Sequence, residues 1–304
     1  MAKWTAADIP SQQGRTAVIT GTGGLGYEDA LALARAGGDV ILAGRNAEKG
    51  AAAVAQIRDA VPSATIAFEQ LDLASLASVR AFGERLRGQR DRLDLLINNA
   101  GVMVPPKREA TADGFELQLG TNHLGHFALT AELLPLLRKG RDARVISLSS
   151  VAARGGAIDF DDLNAERGYK PMPVYSQSKL ACLMFALELK RRSEAAGWGV
   201  TSIAAHPGVS RTDLLHNAPG KSSGTGMARS FLWFLFQPVW QGALPTLYAA
   251  IAPDAEPGGY YGPNRLSETR GYPAPAKIPP VALDREAAAR LWEVSAEMTG
   301  ARFG

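Results

Sequence analysis

A tyrosine and a lysine four residues apart, Tyr175 and Lys179 in the run Tyr175-Ser176-Gln177-Ser178-Lys179, carry the strongest chemical signal in the chain. In a helix this spacing puts both side chains on one face, one turn apart. A phenol titrates near ~10 in water, and a fixed ammonium beside it favours the phenolate, so the pair can give or take a proton nearer neutral pH. Chance places such a pair in about one chain in five of this composition, so the surrounding elements decide its meaning.

Those elements begin with Arg15 to Thr20, which reads as a buried strand and runs into Gly21-Thr22-Gly23-Gly24-Leu25-Gly26. An alanine- and leucine-rich helix follows, from Tyr27 to Ala36. Glycines let backbone approach a pyrophosphate, and the helix N-terminus offers it unpaired N–H groups and a partial positive charge. Strand, turn and helix in this order predict a dinucleotide cofactor. Val40 to Ala43 is a second strand, followed by Gly44-Arg45-Asn46. An acidic residue about 20 positions after the glycine turn would hold the ribose hydroxyls of NAD(H). Here Gly44 stands there and Arg45 follows, which favours the 2′-phosphate of NADP(H); a solvated arginine is the alternative.

The pattern continues with a helix from Ala47 to Val61 that stops at Pro62, a strand from Ile66 to Leu71, and a helix from Ala74 to Arg87 that Asp72 could cap. Leu93 to Ile97, Val145 to Leu148 and Val200 to Ala205 are further strands. Long helices are expected over Asp113 to Leu137 and Val174 to Ala196, and a last one over Asp284 to Met298 that docks on the domain. Short apolar strands alternating with helices predict an α/β fold, a single doubly wound parallel sheet of Rossmann type with helices on both faces. We expect one domain over 1–304, with a dinucleotide-binding part over about 14–150 and a catalytic and substrate part over about 151–304.

Bulk composition narrows the function classes. The 304 residues are 46% hydrophobic and 21% charged, ordinary for a soluble globular chain with a sizeable core. Net charge is +3 with no basic block, which argues against nucleic acid as a partner. The single cysteine, Cys182, excludes an internal disulfide and a Cys-rich metal site and fits a reducing, cytoplasmic location. The start of the chain lacks an apolar core of signal-peptide length, and the longest apolar stretch, Phe231 to Trp240, is interrupted by Gln237 and Pro238, so no transmembrane segment is expected.

The ordered set of Gly21 to Gly26, Asp72-Leu73, Asn98-Asn99-Ala100-Gly101, Thr121 to Phe127, Ser149-Ser150, Tyr175 to Lys179, and Pro207-Gly208 with Thr212 resembles the short-chain dehydrogenase/reductase family. Within it the chain looks most like the retinol-dehydrogenase-like oxidoreductases, over nearly its whole length. The resemblance implies that Tyr175 is the general acid or base and that Lys179 lowers its pKa and holds the nicotinamide ribose. It further implies that Ser150, rather than Ser149, bonds the substrate oxygen and that Asn122 organises the water chain returning the proton to solvent. It places Gly21, Gly23, Gly24, Leu25 and Gly26 at the cofactor, Asp72 and Leu73 near the adenine, and Asn99, Ala100 and Gly101 near its ribose. Pro207, Thr212 and the backbone of Val209 would lie at the nicotinamide carboxamide. Asn98 has a structural alternative, tying two strands together. Members often dimerise through the helices that hold Asn122 and Tyr175, which would make a homodimer or homotetramer.

The sequence departs from the family in one respect. Most members have three residues between the first two glycines of the turn, whereas here only Thr22 and Gly23 intervene in that spacing. A side chain that often touches the 2′-phosphate is therefore missing, leaving Arg45 to select NADP(H). The 25 positions between Ser150 and Tyr175 contain the acidic run Asp159-Phe160-Asp161-Asp162, read as a solvated loop rather than a metal site. His123 and His126 lack a third ligand at helical spacing, so no metal is expected there. Lys221 to Gly226 reads as a polar loop leading to Phe231-Leu232-Trp233-Phe234-Leu235-Phe236, whose bulk suggests an apolar substrate; core packing, a dimer contact or peripheral membrane contact are its alternatives. The expected activity is a ketoreductase-like hydride transfer between NADP(H) and a small hydrophobic ketone, aldehyde or alcohol. An NAD-dependent alcohol dehydrogenase, a membrane-bound retinoid enzyme and a non-catalytic NAD(P)-binding redox sensor are the rivals.

Overall fold

The structure is a computed structural model that describes residues 3–210 and 237–304. Its centre is one eight-stranded sheet in the order β3-β2-β1-β4-β5-β6-β7-β8. The strands are β1 (Thr16–Thr20), β2 (Asp39–Gly44), β3 (Thr65–Gln70), β4 (Leu95–Asn98), β5 (Arg144–Leu148), β6 (Thr201–Ala205), β7 (Tyr260–Arg265) and β8 (Arg270–Pro275). All neighbours are parallel except β7 and β8, which form an antiparallel hairpin. Chain order reverses between β1 and β4, and the crevice at the carboxyl ends of these strands is where a doubly wound sheet binds its ligand.

Helices cover both faces. Ala17 and Ile19 of β1 point to one face, with α1 (Gly24–Arg35), α2 (Ala47–Ala60) and α6 (Val239–Ile251); Val18 points to the other, with α3 (Leu76–Gln89), α4 (Gly125–Leu137) and part of α5 (Pro171–Ala196). Burial on both faces is why the central strands β1, β2 and β4 carry unbroken apolar runs. The last helix, α7 (Arg285–Thr299), is capped by Asp284, whose Oδ1 accepts from the N–H groups of Glu286 and Ala287. Its Trp292 packs in an aromatic cluster with Phe127, Phe185 and Phe303, so this helix docks as expected.

Two sequence expectations are corrected. Ser75, not Asp72, caps α3: its Oγ accepts from Ser78 N–H, while Asp72 Oδ1 accepts from Ala74 N–H two residues on. The helix expected from Asp113 starts instead at Leu117, because Asp113 turns its carboxylate to Leu76 N–H and Glu116 caps the new start through Leu119 N–H. Its first part, Leu117–Leu119, then passes through a π-helical turn, Gly120–Leu124, before α4. Pro273 and Pro275 lie in β8, at a sheet edge, where a missing N–H is tolerated.

Candidate active site

Asn122 sits in the π turn, almost completely buried. Its side chain is held on three sides: Oδ1 accepts from Val102 N–H (2.8 Å), and Nδ2 donates to Val102 O (3.0 Å) and to Ser178 Oγ (2.9 Å). Its backbone carbonyl accepts from His126 Nδ1 (2.9 Å) and from the Cys182 thiol (3.1 Å). A π turn opens the helical ladder, which is how one carbonyl meets two side-chain donors.

Pro171 occupies the first turn of α5, where its missing N–H is no loss, and starts the helix three residues before the Val174 expected. Tyr175 and Lys179 then stand one turn apart, each buried. The Lys179 ammonium donates to Leu148 O at the end of β5 (3.1 Å), and Ser149 Oγ donates back to Lys179 O (2.7 Å). Ser149 is thereby committed to joining strand and helix. Ser150 is half-buried at the strand exit, where among the described residues its Oγ accepts only from Ala152 N–H (3.2 Å), leaving its own proton to donate. The backbone of Gly101 lies against the same group: a Cβ there would be 2.9 Å from Asn122 Oδ1 and 3.4 Å from Lys179 Nζ. The fold thus brings together Asn122, Lys179 and Gly101, with Ser150 and Tyr175 on the elements that Ser149 ties. Sequence reasoning missed Tyr260 of β7, a buried phenol pushed up by desolvation that reaches toward Ser150 O (3.4 Å).

On the other side of the crevice, Gly21 has φ +96°, a left-handed value that glycine adopts freely, and a Cβ on Gly26 would lie 2.3 Å from Gly21 O. Only glycine fits such an approach. α1 begins at Gly24 with Gly23 as an N-cap that has no side chain, so its first N–H groups have no side-chain cap. The turn is braced from below: Asn99 Nδ2 donates to Thr20 O (2.7 Å), and Thr20 Oγ1 accepts from the N–H groups of Asn99 and Ala100, both at 2.9 Å. A cavity of about 610 Å³ opens here, lined by residues 21–25, Tyr27, one face of α2 and residues 99–101. A glycine cradle, an uncapped helix start and a cavity of this size fit a dinucleotide.

Gly21, Gly23, Gly24, Leu25, Asn99, Ala100 and Gly101 therefore lie on the cavity wall, with Gly26 packed under the turn. Arg45 is exposed after β2 and is not part of that wall, and neither are Asp72 and Leu73, of which Leu73 is buried in the core. Pro207 O accepts from Ser210 Oγ and Gln237 Nε2 (2.9 and 2.6 Å). The Val209 N–H donates to Thr269 O (2.8 Å), and its carbonyl accepts from Gln237 N–H (3.1 Å) with a second lone pair left over. Thr212, together with residues 221–226 and 231–236, lies outside the described residues.

The histidines of the π turn region and the acidic run have structural partners. His126 Nδ1 bonds a carbonyl and so carries the proton, leaving Nε2 to accept from the Thr20 hydroxyl (2.9 Å); burial pushes its pKa down to about 4. Burial likewise lowers His123, to about 3, and its Nε2 meets Ser295 Oγ of α7 (2.8 Å). Asp159 and Asp162 accept backbone N–H groups of their own loop. No group of three or more metal-ligating side chains and no helix long and apolar enough to cross a membrane occurs among the described residues.

With this geometry, comparison with known proteins is direct. The family model for short chain dehydrogenases matches residues 15–222, and the chain belongs to that family. It is an oxidoreductase of the NAD(P)(H)-dependent kind, acting on an alcohol or the corresponding carbonyl. Human retinol dehydrogenase 13 (Homo sapiens) is 43% identical over 302 residues, covering 97% of this chain and 86% of that protein. Polyprenol dehydrogenase of Mus musculus is also 43% identical over 302 residues, covering 97% and 87%. The crystal structure of an uncharacterised protein from Mycobacterium paratuberculosis is 40% identical with a TM-score of 0.83, each chain covered to 100%. These relatives place the chain in the retinol-dehydrogenase-like branch.

Proposed function

We propose that the enzyme interconverts a hydrophobic ketone or aldehyde and its alcohol with NADP(H), using Tyr175, Lys179, Ser150 and Asn122 as its proton machinery. Bound NADP(H) supplies or accepts the hydride. Tyr175 holds the proton at its phenol oxygen, giving it to the carbonyl oxygen in reduction and removing it from the alcohol in oxidation. Ser150, with its hydroxyl proton uncommitted, orients the same substrate oxygen. Lys179 sets the charge beside the phenol, and Asn122, locked by Val102 and Ser178, organises the water chain that returns the proton to solvent. The observation that carries this reading is the convergence of Lys179, Asn122 and Gly101 one turn from Tyr175.

The cofactor-binding roles of Gly21 to Gly26, Asn99 to Gly101, Asp72, Leu73, Pro207, Val209 and Thr212 belong to the same reading, and Arg45 favours NADP(H) over NAD(H). Retinol and polyprenol, the substrates named for the relatives, are long apolar alcohols, which supports a hydrophobic substrate. A one-domain, cytoplasmic homodimer or homotetramer fits, with Cys182 a free buried thiol. The deciding experiment is Tyr175→Phe: turnover falls by about 10²–10⁴-fold while NADPH affinity stays within a few-fold. Unchanged turnover sinks the mechanism.

A further inference from the structure

We infer that Glu268, in the turn between β7 and β8, is a positioning residue for hydride transfer: its carboxylate holds His206, and with it the turn 207–209, in register with the turn that begins at Ser150. This rests on the reading above that puts the nicotinamide carboxamide at Pro207 and Val209 and the substrate oxygen at Ser150, and it adds a residue that neither assignment contains.

His206 follows β6 with its ring completely buried, lying over Gly262 of β7 so closely that a Cβ there would overlap it. Its Nδ1 accepts from Gly208 N–H (3.2 Å), which fixes the tautomer and leaves the proton on Nε2. Among the described residues that Nε2–H donates to Glu268 Oε2 alone (3.0 Å). Burial outweighs the carboxylate beside it and holds the ring's pKa below its ordinary value, so the bond joins a neutral imidazole to a carboxylate. A buried N–H left without an acceptor costs its full desolvation, so this bond is demanded by the imidazole. Arg154 closes the outer side of the carboxylate: its Nη2 pairs with Oε2 and its Nη1 donates to Ser267 O (3.2 Å), while Lys277 N–H donates to Oε1 (3.1 Å). The arginine pair is partly exposed and adds little by itself.

The contacts of Glu268 lead to both halves of the reaction. On one side, the next residue, Thr269, accepts Val209 N–H at its carbonyl (2.8 Å), and that carbonyl lies where a Cβ on Gly208 would go. Residues 268 and 269 thus grip the turn 207–209 from its start and from its end. On the other side, Arg154 belongs to the 3₁₀ turn Val151–Gly155 that Ser150 caps. Tyr260, whose ring centre is 5.1 Å from that of His206, reaches toward Ser150 O (3.4 Å). The hairpin holds an uncommon backbone in doing this: Leu266, Ser267 and Glu268 have φ of +47°, +55° and +67°, three successive non-glycine residues in the left-handed region. Such a run persists only where its surroundings over-determine it, and it marks a place where a side chain has to be delivered to a fixed point. Parallel pairing sets β5 beside β6 but leaves the turns at their carboxyl ends free to shift, and a shift of about 1 Å between hydride donor and acceptor is enough to slow transfer.

The test needs no substrate. Full-length wild type, Glu268→Ala, Glu268→Gln and Arg154→Met are titrated with NADPH and NADH, and with 2′,5′-ADP and 5′-ADP, which lack the nicotinamide half. The fluorescence lifetime of the bound dihydronicotinamide is recorded, and circular dichroism follows melting of each variant. Glu268→Ala should weaken whichever dinucleotide the wild type binds by about tenfold, leave its ADP fragment within about two-fold, and shorten the lifetime toward that of free cofactor. Glu268→Gln, which keeps an acceptor for the imidazole, should recover most of both losses, and Arg154→Met should stay near wild type. Equal weakening of dinucleotide and fragment, or a lower melting temperature with an unchanged lifetime, makes Glu268 a residue of the fold alone and overturns the inference. So does Arg154→Met acting as strongly as Glu268→Ala, which moves the role to the exposed ion pair. If the wild type binds the ADP fragments as tightly as the whole dinucleotides, the nicotinamide assignment fails first and the inference with it.

Discussion

The glycine turn and the catalytic face of α5 stand on opposite sides of one crevice and are held in opposite ways. At the turn, shape comes from side chains that are missing: Gly21 needs its positive φ, and Gly26 has Gly21 O where a Cβ would go. At α5, shape comes from side chains that are present and saturated with bonds, Asn122 to Val102 and Ser178, Ser149 to Lys179, Lys179 to Leu148. The first construction is all-or-none, because a steric approach cannot be partly relieved. The second is graded, because a network can lose one bond at a time. His126 joins the two, bonding the Asn122 carbonyl on one side and the Thr20 hydroxyl beneath the turn on the other.

The contrast can be broken most directly at Gly26. Gly26→Ala should weaken cofactor binding at least about 100-fold, roughly 2.7 kcal/mol, because the new methyl displaces the turn itself. Isothermal titration measures it, and retained affinity would mean that the turn is not rigid. Asn122→Ala should act on both counts but less severely on binding. It strips Val102 of its two bonds and Ser178 of one, and chemical denaturation should record a loss of about 2–4 kcal/mol together with a fall in turnover. Asn122→Asp, which keeps the acceptor for Val102 N–H, should recover part of the stability.

A pH titration sharpens the role of His126. Burial lowers its folded pKa to about 4, against 6.5 for a free histidine, and burial with the neighbouring His126 charge lowers His123 to about 3. The unfolded chain therefore binds these protons more readily than the folded one. Their contribution is complete above pH 6.5 and disappears as pH falls toward 4 and then 3, at most about 1.4 kcal/mol per unit for each histidine. Melting temperatures from pH 7 to 4.5 should show this slope, and His123→Gln should flatten it; an unchanged slope would assign it to other groups. The smallest effect is expected at Ser149→Ala, which removes one tie between β5 and α5 and should cost about 1 kcal/mol in denaturant unfolding with little change in NADPH affinity.

Much of this was legible because several signals coincided. β1, the glycine turn and α1 announce themselves by an apolar run, glycines and alanines in immediate succession. Tyr175 and Lys179 need only the helical repeat. Where one signal contradicts another, the reading failed. β7 and β8 carry Gly262, Pro263, Gly271, Pro273 and Pro275, residues that argue against strands unless the hairpin is known to close the sheet edge. α6 carries Pro245 within an apolar stretch and was hidden by it. The cap of α3 went to Ser75 because three residues able to cap, Asp72, Ser75 and Ser78, follow one another at intervals of three, and only packing decides which carboxylate or hydroxyl faces the helix start. The face of α2 that lines the cavity left a readable trace, the spacing 49, 52, 53 and 56, but nothing in the sequence said which face looks into the cavity. The π turn left none, since five residues in a wide turn look like five residues of helix.

That turn has a consequence for how the chain tolerates gain and loss of residues. It holds one residue more per turn than the α-helix on either side of it. The wide turn absorbs that extra residue, so deleting a single residue from Gly120–Leu124 would restore a regular helix with the parts on either side still in phase, and close the opening in which the Asn122 carbonyl meets two side-chain donors. The apolar stripe of α4, from Phe127 to Leu137, would keep its seat in the core. Asn122 would lose its place beside Val102. A one-residue deletion, mild in most loops, would here leave a folded core without the turn that seats Asn122.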